Sequence, residues 1–155
     1  PFYPGTGPLE FTGHGAGLGR TINVALDEPV GDPEYAAIFE DLLVPIAQSF
    51  GPDLVLVSAG FDAHEVDPLG GMRLTELGFA RMCAVVREIA ARHCSGRLVL
   101  VLEGGYDLVA LARSVHSCVE VLCGASAAPL PGAVGAAGQR ILRRVQEVHR
   151  RWWPI

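Results

Sequence analysis

The chain has 155 residues, half of them hydrophobic and 19% charged, with a formal net charge of −5. That length suits one domain with a sizeable core, and the apolar bias suits a central sheet covered on both faces. The negative balance offers no field for nucleic acid, and no apolar run reaches the ~20 residues of a membrane-spanning helix, so neither partner is expected.

Residues 1–19, PFYPGTGPLEFTGHGAGLG, are too rich in Gly and Pro for a regular element, yet they carry Phe2, Tyr3 and Phe11. Aromatics on a long loop are candidates for lining a cleft. The segment is not a signal peptide, and it opens without a methionine or a preceding strand, which reads as an N-terminally truncated part of a larger fold. The alternation Gly13, Gly15, Gly17, Gly19 imitates a phosphate cradle but lacks the strand before it, the helix after it and a Walker lysine. His14 reads as an exposed loop residue.

Thr21 to Leu26, TINVAL, has the β-branched character of a strand. The next element is a helix over Gly31 to Phe50, with Asp32 as its cap, Pro33 at the first helical position and Pro45 as a kink or an end. Tyr35, Ile38, Phe39, Leu42 and Ile46 recur at helical spacing and predict the buried face.

In the stretch DLVLVSAGFDAHEVDPL, Asp53 to Leu69, an unbroken apolar run leads to small residues and then to Asp62. A strand buried on both faces that delivers a carboxylate to its carboxyl end has this form. RLVLVLEGGY, Arg97 to Tyr106, repeats it and closes on Glu103, two glycines and a tyrosine. Between them, Phe79, Met82, Cys83, Val86, Ile89, Ala90 and His93 make a helical stripe after a start at Thr75. The unit is therefore strand, crossover helix, parallel strand, with both polar endings on one sheet edge and Asp62 near Tyr106.

Asp107 is placed to cap a further helix with the face Leu108, Leu111, Ala112, Val115, Cys118, Val119 and Leu122, His116 falling on its polar side. Residues 125–138 read as a low-complexity linker, and residues 139–155 as an amphipathic helix with a solvated arginine face. Cys83, Cys94, Cys118 and Cys123 form no CxxC pair and read as buried free thiols of a reducing, cytoplasmic compartment.

In open parallel sheets the ligand sits outside the carboxyl ends of the strands. Asp62 there suits a general base, a helix cap or a metal ligand. Asp62 with His64 offers Asp-x-His, two metal-competent groups on one side of an extended backbone, which two ligands alone cannot make a tight site. Gly104 and Gly105 let the backbone pass close to a bound group and aim the Tyr106 phenol into the cleft, where it can donate to an oxygen that becomes negative.

PFYPGTG, VSAGFDAHEVDPLGGM and LVLEGGYDL, in this order and spacing, resemble the C-terminal half of a class II-type histone deacetylase domain, in the arginase-like family with acetylpolyamine amidohydrolases and acetoin-utilisation proteins. The resemblance covers residues 1–124. It implies a three-layer α/β/α fold with a mainly parallel sheet and a zinc-dependent amidohydrolase acting on acetyl-lysine or related N-acetyl amines. It also admits iron at the same ligands and a structural potassium ion in the full domain.

By motif position the resemblance makes Asp62 a ligand of the catalytic metal and Tyr106 the residue that polarises the acetyl carbonyl. Tyr3 becomes a wall of the acyl-lysine channel and Leu69 its mouth, with Gly104 and Gly105 beside them and Phe2 and His64 as supporting neighbours. Leu69, where polyamine-selective relatives carry an acid, leans toward acyl-lysine. The family's tandem histidines and its own Asp-x-His pair lie upstream of these motifs, so this chain alone is expected to be inactive and to need the N-terminal half of the same domain as its partner. The rival reading is a non-catalytic α/β module that binds acylated peptides or a partner chain at the same sheet edge.

Overall fold

The computed structural model describes residues 5–26, 29–130 and 132–155, so Phe2 and Tyr3 lie outside the described residues. Two parallel strands, β1 (Val55–Ala59) and β2 (Leu98–Leu102), pair in register from Val55 opposite Leu98 to Ala59 opposite Leu102. The crossover between them is helix α3 (Glu76–His93), and α4 (Leu108–Leu122) follows β2 and packs along α3. The chain is α/β, with the strand, helix, strand unit expected from the two apolar runs.

The helix ahead of β1 holds three pieces in line: α1 (Asp32–Ala37), a wide π-type segment at Ile38–Leu43, and α2 (Val44–Phe50). Pro45 does not end the helix, which runs on to Phe50, but the regular α-helical repeat is interrupted just before it. Its missing N–H and its ring both collide with a regular four-residue repeat, and the wider turns directly before it take up that conflict. The cap also differs from expectation. Gly31 is the N-cap, Glu34 Oε2 accepts from the Gly31 N–H at 3.1 Å, and Asp32 serves a different helix.

The Asp32 carboxylate is buried, and it accepts from the Thr75 N–H at 2.8 Å and the Thr75 hydroxyl at 2.6 Å. Thr75 in turn caps α3, its Oγ1 accepting from the Leu77 N–H at 3.2 Å. Gly78 is where this arrangement demands a missing side chain: a Cβ there would lie 2.1 Å from Asp32 Oδ1 and 2.7 Å from Leu74 Cδ2. Alanine gains about 1 kcal/mol of helix propensity over glycine, while such overpacking costs about 1–3 kcal/mol. Gly78→Ala should therefore lower the stability of the full-length protein by up to ~2 kcal/mol, read as a lower denaturant midpoint at unchanged m; a rise in midpoint would show that the Asp32–Thr75 contact is pliable.

Burial alternates along β1, with Val55, Val57 and Ala59 half-buried and Leu56 and Ser58 exposed. On β2, Leu98 and Leu100 turn inward while Val99 and Val101 face out. The inward side packs on α3, with Val55 meeting Ala47, Val85 and Ile89, and Leu100 meeting Phe79, Cys83 and Cys118. The outward side is bare: Leu56 is 68% exposed and Val101 55%. The expectation of burial on both faces thus holds for one face of these strands, because nothing among the described residues covers the other.

An exposed apolar sheet face with unpaired edges is a site of association. Expressed by itself, the chain should self-associate at micromolar concentration in sedimentation velocity, and a monomer with a cooperative melt would contradict this.

TINVAL forms no strand. Residues 21–26 run as coil, since no neighbouring strand offers them a ladder, and Ile22, Val24, Ala25 and Leu26 instead pack against Leu9, Ile38, Leu42 and Ile46. Helix α5 (Ala136–His149) begins three residues earlier than its pattern suggests and adds Ile141 and Val145 to that same cluster. Glu34 Oε1 accepts from the Gly135 N–H at 2.8 Å, which ties the start of α5 to α1.

Helix α4 is rotated from the expected face. Ala110, Ser114, Cys118 and Val121 are buried, whereas Leu108 is 78% exposed, Ala112 is exposed, and Val119 and Leu122 also face out. The helix carries two apolar stripes, and only one of them meets α3. Three of the four free cysteines are buried as expected, and Cys123 is exposed at the end of α4. Gly13 and Gly19 serve packing rather than a phosphate, because a Cβ at Gly13 would meet the Gly17 carbonyl at 2.2 Å and one at Gly19 would meet the Trp152 ring at 2.6 Å. His14 is exposed, as read.

Candidate functional site

The parallel pairing puts the ends of β1 and β2 side by side, and the ladder continues past both. The Glu103 N–H donates to the Ala59 carbonyl at 3.0 Å and the Phe61 N–H to the Gly104 carbonyl at 2.9 Å. These bonds hold Gly60–Asp62 against Glu103–Gly105. The Asp62 carboxylate rests between two glycines: a Cβ on Gly60 would approach its Oδ1 to 3.2 Å and one on Gly104 its Oδ2 to 3.0 Å. Asp62 and the tyrosine turn are therefore neighbours, as the sheet logic requires.

Asp62 is half-buried, and no described residue donates a hydrogen bond to its side chain. A carboxylate left without a protein donor is open to a ligand. Its charge is felt by Tyr35 on α1, whose phenol is pushed up to about 12, first by burial and then by Asp62. Tyr35 also lines an apolar pocket of about 220 Å³ under this edge, together with Ala59, Gly60, Phe61 and Cys83. Its helical spacing marks it only as a core residue, and nothing in the sequence signals its nearness to Asp62.

Tyr106 stands at the outer end of the β2 turn with 55% of its surface exposed, so its phenol is open to a partner or substrate. The conformation before it needs glycine, because Gly105 has φ +132° and a Cβ there would press on Leu111 at 2.9 Å. Directly after it, Asp107 caps α4 as predicted, its Oδ1 accepting from Val109 N–H at 3.1 Å and Ala110 N–H at 2.8 Å. Leu69 lies on the neighbouring loop, 59% exposed. Glu103 is exposed at the strand end.

His64 departs from the Asp-x-His expectation. The backbone turns after Phe61, with the His64 N–H donating to the Phe61 carbonyl at 3.2 Å, so the same-side rule of an extended strand does not apply. The imidazole is buried, with Nδ1 accepting from the Val66 N–H at 3.3 Å, Nε2 lying 3.7 Å from Glu76 Oε2, and the ring stacked parallel to Phe79. It is neither a solvent-facing residue nor paired with Asp62. Among the described residues no group of three His, Cys, Asp or Glu side chains could hold a metal ion. The bare carboxylate of Asp62 fits one ligand position, and the rest of a donor set would have to come from outside the described residues.

Asp67 has no place among the expected site residues, yet it is the most heavily bonded side chain of the edge. Its Oδ1 accepts from Leu69 N–H at 2.8 Å and Gly70 N–H at 3.1 Å, and its Oδ2 from Tyr106 N–H at 2.7 Å and Asp107 N–H at 3.4 Å. Slight desolvation pushes its carboxyl up, but the donors of Tyr106, Leu69, Gly70 and Asp107 together outweigh this and hold it below the usual carboxylate range. The sequence signal is Asp-Pro followed by Gly70 and Gly71, which reads as a turn and says nothing of Tyr106.

A parallel α/β unit with a bare carboxylate and an open phenol at the carboxyl edge defines the class of site, and the comparisons supply its family. Residues 1–122 match the histone deacetylase domain. The chain is 44% identical over 122 residues to histone deacetylase 10, chloroplastic, of Oryza sativa subsp. japonica, covering 79% of this chain and 28% of that protein. It is 41% identical over 163 residues to Homo sapiens histone deacetylase 7, covering 98% of this chain and 17% of that protein.

Among solved structures, the HD domain of HDA15 superposes with a TM-score of 0.87 at 36% identity, covering 99% of this chain and 41% of that one. The histone deacetylase Clr3 superposes with a TM-score of 0.91 at 32% identity, covering 99% and 26%. The chain belongs to the histone deacetylase family, and it spans less than half the length of each of these relatives.

Proposed function

We propose that this chain forms the carboxyl-terminal part of a zinc-dependent deacetylase domain that hydrolyses acetyl-lysine or a related N-acetyl amine. The observation that carries the reading is the pairing of a donor-free Asp62 carboxylate with an open Tyr106 phenol on one edge of a parallel sheet. Zinc, when bound, supplies Lewis acidity toward the acetyl oxygen and lowers the pKa of a water toward ~7. Asp62 is the ligand this chain contributes. Tyr106 donates its O–H to the acetyl oxygen as that atom becomes negative, and Gly104 and Gly105 let the acyl chain pass close to the backbone. Leu69, exposed at the mouth, suits the aliphatic stem of an acyl-lysine better than a second cationic amine.

The remainder of the site belongs to residues outside this chain. The five histidines, at 14, 64, 93, 116 and 149, include no adjacent pair to act as general base. The bare face of β1 and β2 is the surface on which the rest of the domain would pack, and with it the chain would gain its missing ligands. Tyr3 remains a candidate channel wall.

The test is hydrolysis of an acetyl-lysine peptide by the full-length protein, with an acetylated polyamine as the competing substrate. Turnover of the peptide supports the reading. Preference for the polyamine would move the substrate class, and binding of the acetylated peptide without hydrolysis would favour a non-catalytic module.

A further inference from the structure

We propose that Asp67 is the positioning residue for Tyr106: a single carboxylate that ties the loop after β1 to the turn after β2 and so fixes where the phenol stands relative to Asp62. Its two oxygens divide the work. Oδ1 takes the N–H groups of Leu69 and Gly70 and closes its own loop, while Oδ2 takes those of Tyr106 and Asp107, about forty residues away in sequence. The main chain of Asp67 is itself anchored, its N–H donating to the His64 carbonyl at 2.9 Å. No other side chain among the described residues hydrogen-bonds the Tyr106 backbone.

The clamp is needed because the turn is otherwise loose. Gly104 and Gly105 give the backbone freedom, and the Tyr106 side chain is more than half exposed and finds little packing to hold it. On one side Asp107 starts α4, a rigid anchor; on the other the ladder ends at Gly104. The carboxylate fixes the residue between those anchors. Gly70 brings the loop in close, since a Cβ there would fall 1.6 Å from the Asp62 carbonyl. The Asp67 carboxylate therefore links, through backbone N–H groups on both sides, the loop that follows Asp62 and the residue that carries the phenol. A displacement of about 1 Å in a reacting group can cost about 100-fold in rate.

The inference about rate rests on the deacetylase reading, whereas the clamp itself does not, and two measurements on the full-length protein separate them. The first is amide hydrogen exchange in Asp67→Ala and Asp67→Asn. Loss of the clamp should speed exchange at Tyr106 and Asp107 by about tenfold or more in Asp67→Ala, with the ladder amides of β1 and β2 unchanged. Asp67→Asn keeps one oxygen acceptor but turns an NH₂ toward one of the two loops, so it should restore part of the protection. Unchanged exchange at Tyr106 in Asp67→Ala would overturn the clamp, and equal acceleration across β1 and β2 would overturn it in favour of general destabilisation.

The second measurement is kinetic. Asp67→Ala should lower kcat by roughly 10- to 100-fold with KM and metal content held, because the phenol is displaced while the channel and the ligand stay. A rise in KM alone, or loss of metal, would overturn the positioning role. If the parent protein hydrolysed no acetylated amine, the deacetylase reading would be the one that failed; if Tyr106→Phe left turnover unchanged, Tyr106 would drop out of the chemistry. In either case the exchange result would still decide the clamp.

Discussion

Tyr106→Phe in the full-length protein should lower kcat by about 100-fold or more while KM for an acetyl-lysine peptide and the bound metal stay unchanged. The residue is built for this dissection. Its backbone is held by Asp67 and by the helix that begins at Leu108, and its ring is largely exposed, so removing one oxygen disturbs no packing. A surface substitution of that kind shifts stability by no more than about 0.5 kcal/mol. In the proposed mechanism what is lost is a donor to an oxygen whose charge grows in the transition state, and loss of such a donor costs about 3–4 kcal/mol of barrier. A drop confined to kcat is the signature of an interaction made in the transition state and not with the bound substrate. Equal loss of metal in the variant would instead make the tyrosine structural, and unaltered turnover would remove it from the chemistry.

The parts of this arrangement that short-range chemistry controls were readable from the residues, and the parts set by long-range contact were not. DLVLVSAGFD and RLVLVLEGGY announce two strands and their crossover because β-rich apolar runs ending in small residues have few other uses. Asp107 and Thr75 announce their helices because a cap bonds N–H groups two or three residues away. TINVAL misleads for the opposite reason: β-branched residues fit a strand or a packed coil equally, and the choice falls to whether a neighbouring strand exists. Helix α4 misleads because an apolar stripe shows what can be buried, not what the neighbours present will bury.

At the site, the same division separates Asp62 and Tyr106 from Asp67. The first two sit where strands end, and parallel topology alone brings strand ends together. Asp67 sits in a Pro-Gly turn, and its partner lies 39 residues on, a pairing that no local pattern encodes. Asp32 repeats the lesson, since it stands at a helix start yet bonds the start of another helix 43 residues away. A carboxylate that serves two backbones is visible only once both are in place.

Asp62→Ala in the full-length protein should empty the metal site, lowering affinity by more than the roughly 10–100-fold typical when an outer-shell partner is lost, and turnover should fall with it. The fold should not suffer. The Asp62 carboxylate is half-buried and receives no hydrogen bond from the described residues, so its removal breaks no bond among them. A group without a partner in the fold adds little to stability in the metal-free protein. The metal-free variant should therefore melt no lower than the metal-free parent, and the Tyr35 phenol should move back toward its ordinary range. Metal analysis, thermal melting with chelator and spectroscopic titration of tyrosine together check the three parts. Full metal content in Asp62→Ala would contradict the ligand assignment outright. A lower melt of the metal-free variant would mean that the carboxylate is a structural anchor, its partner lying among residues that complete the domain. Loss of metal with the fold intact would leave Asp62 as a residue whose position at the strand end, between two glycines that make room for it, serves binding and not the fold.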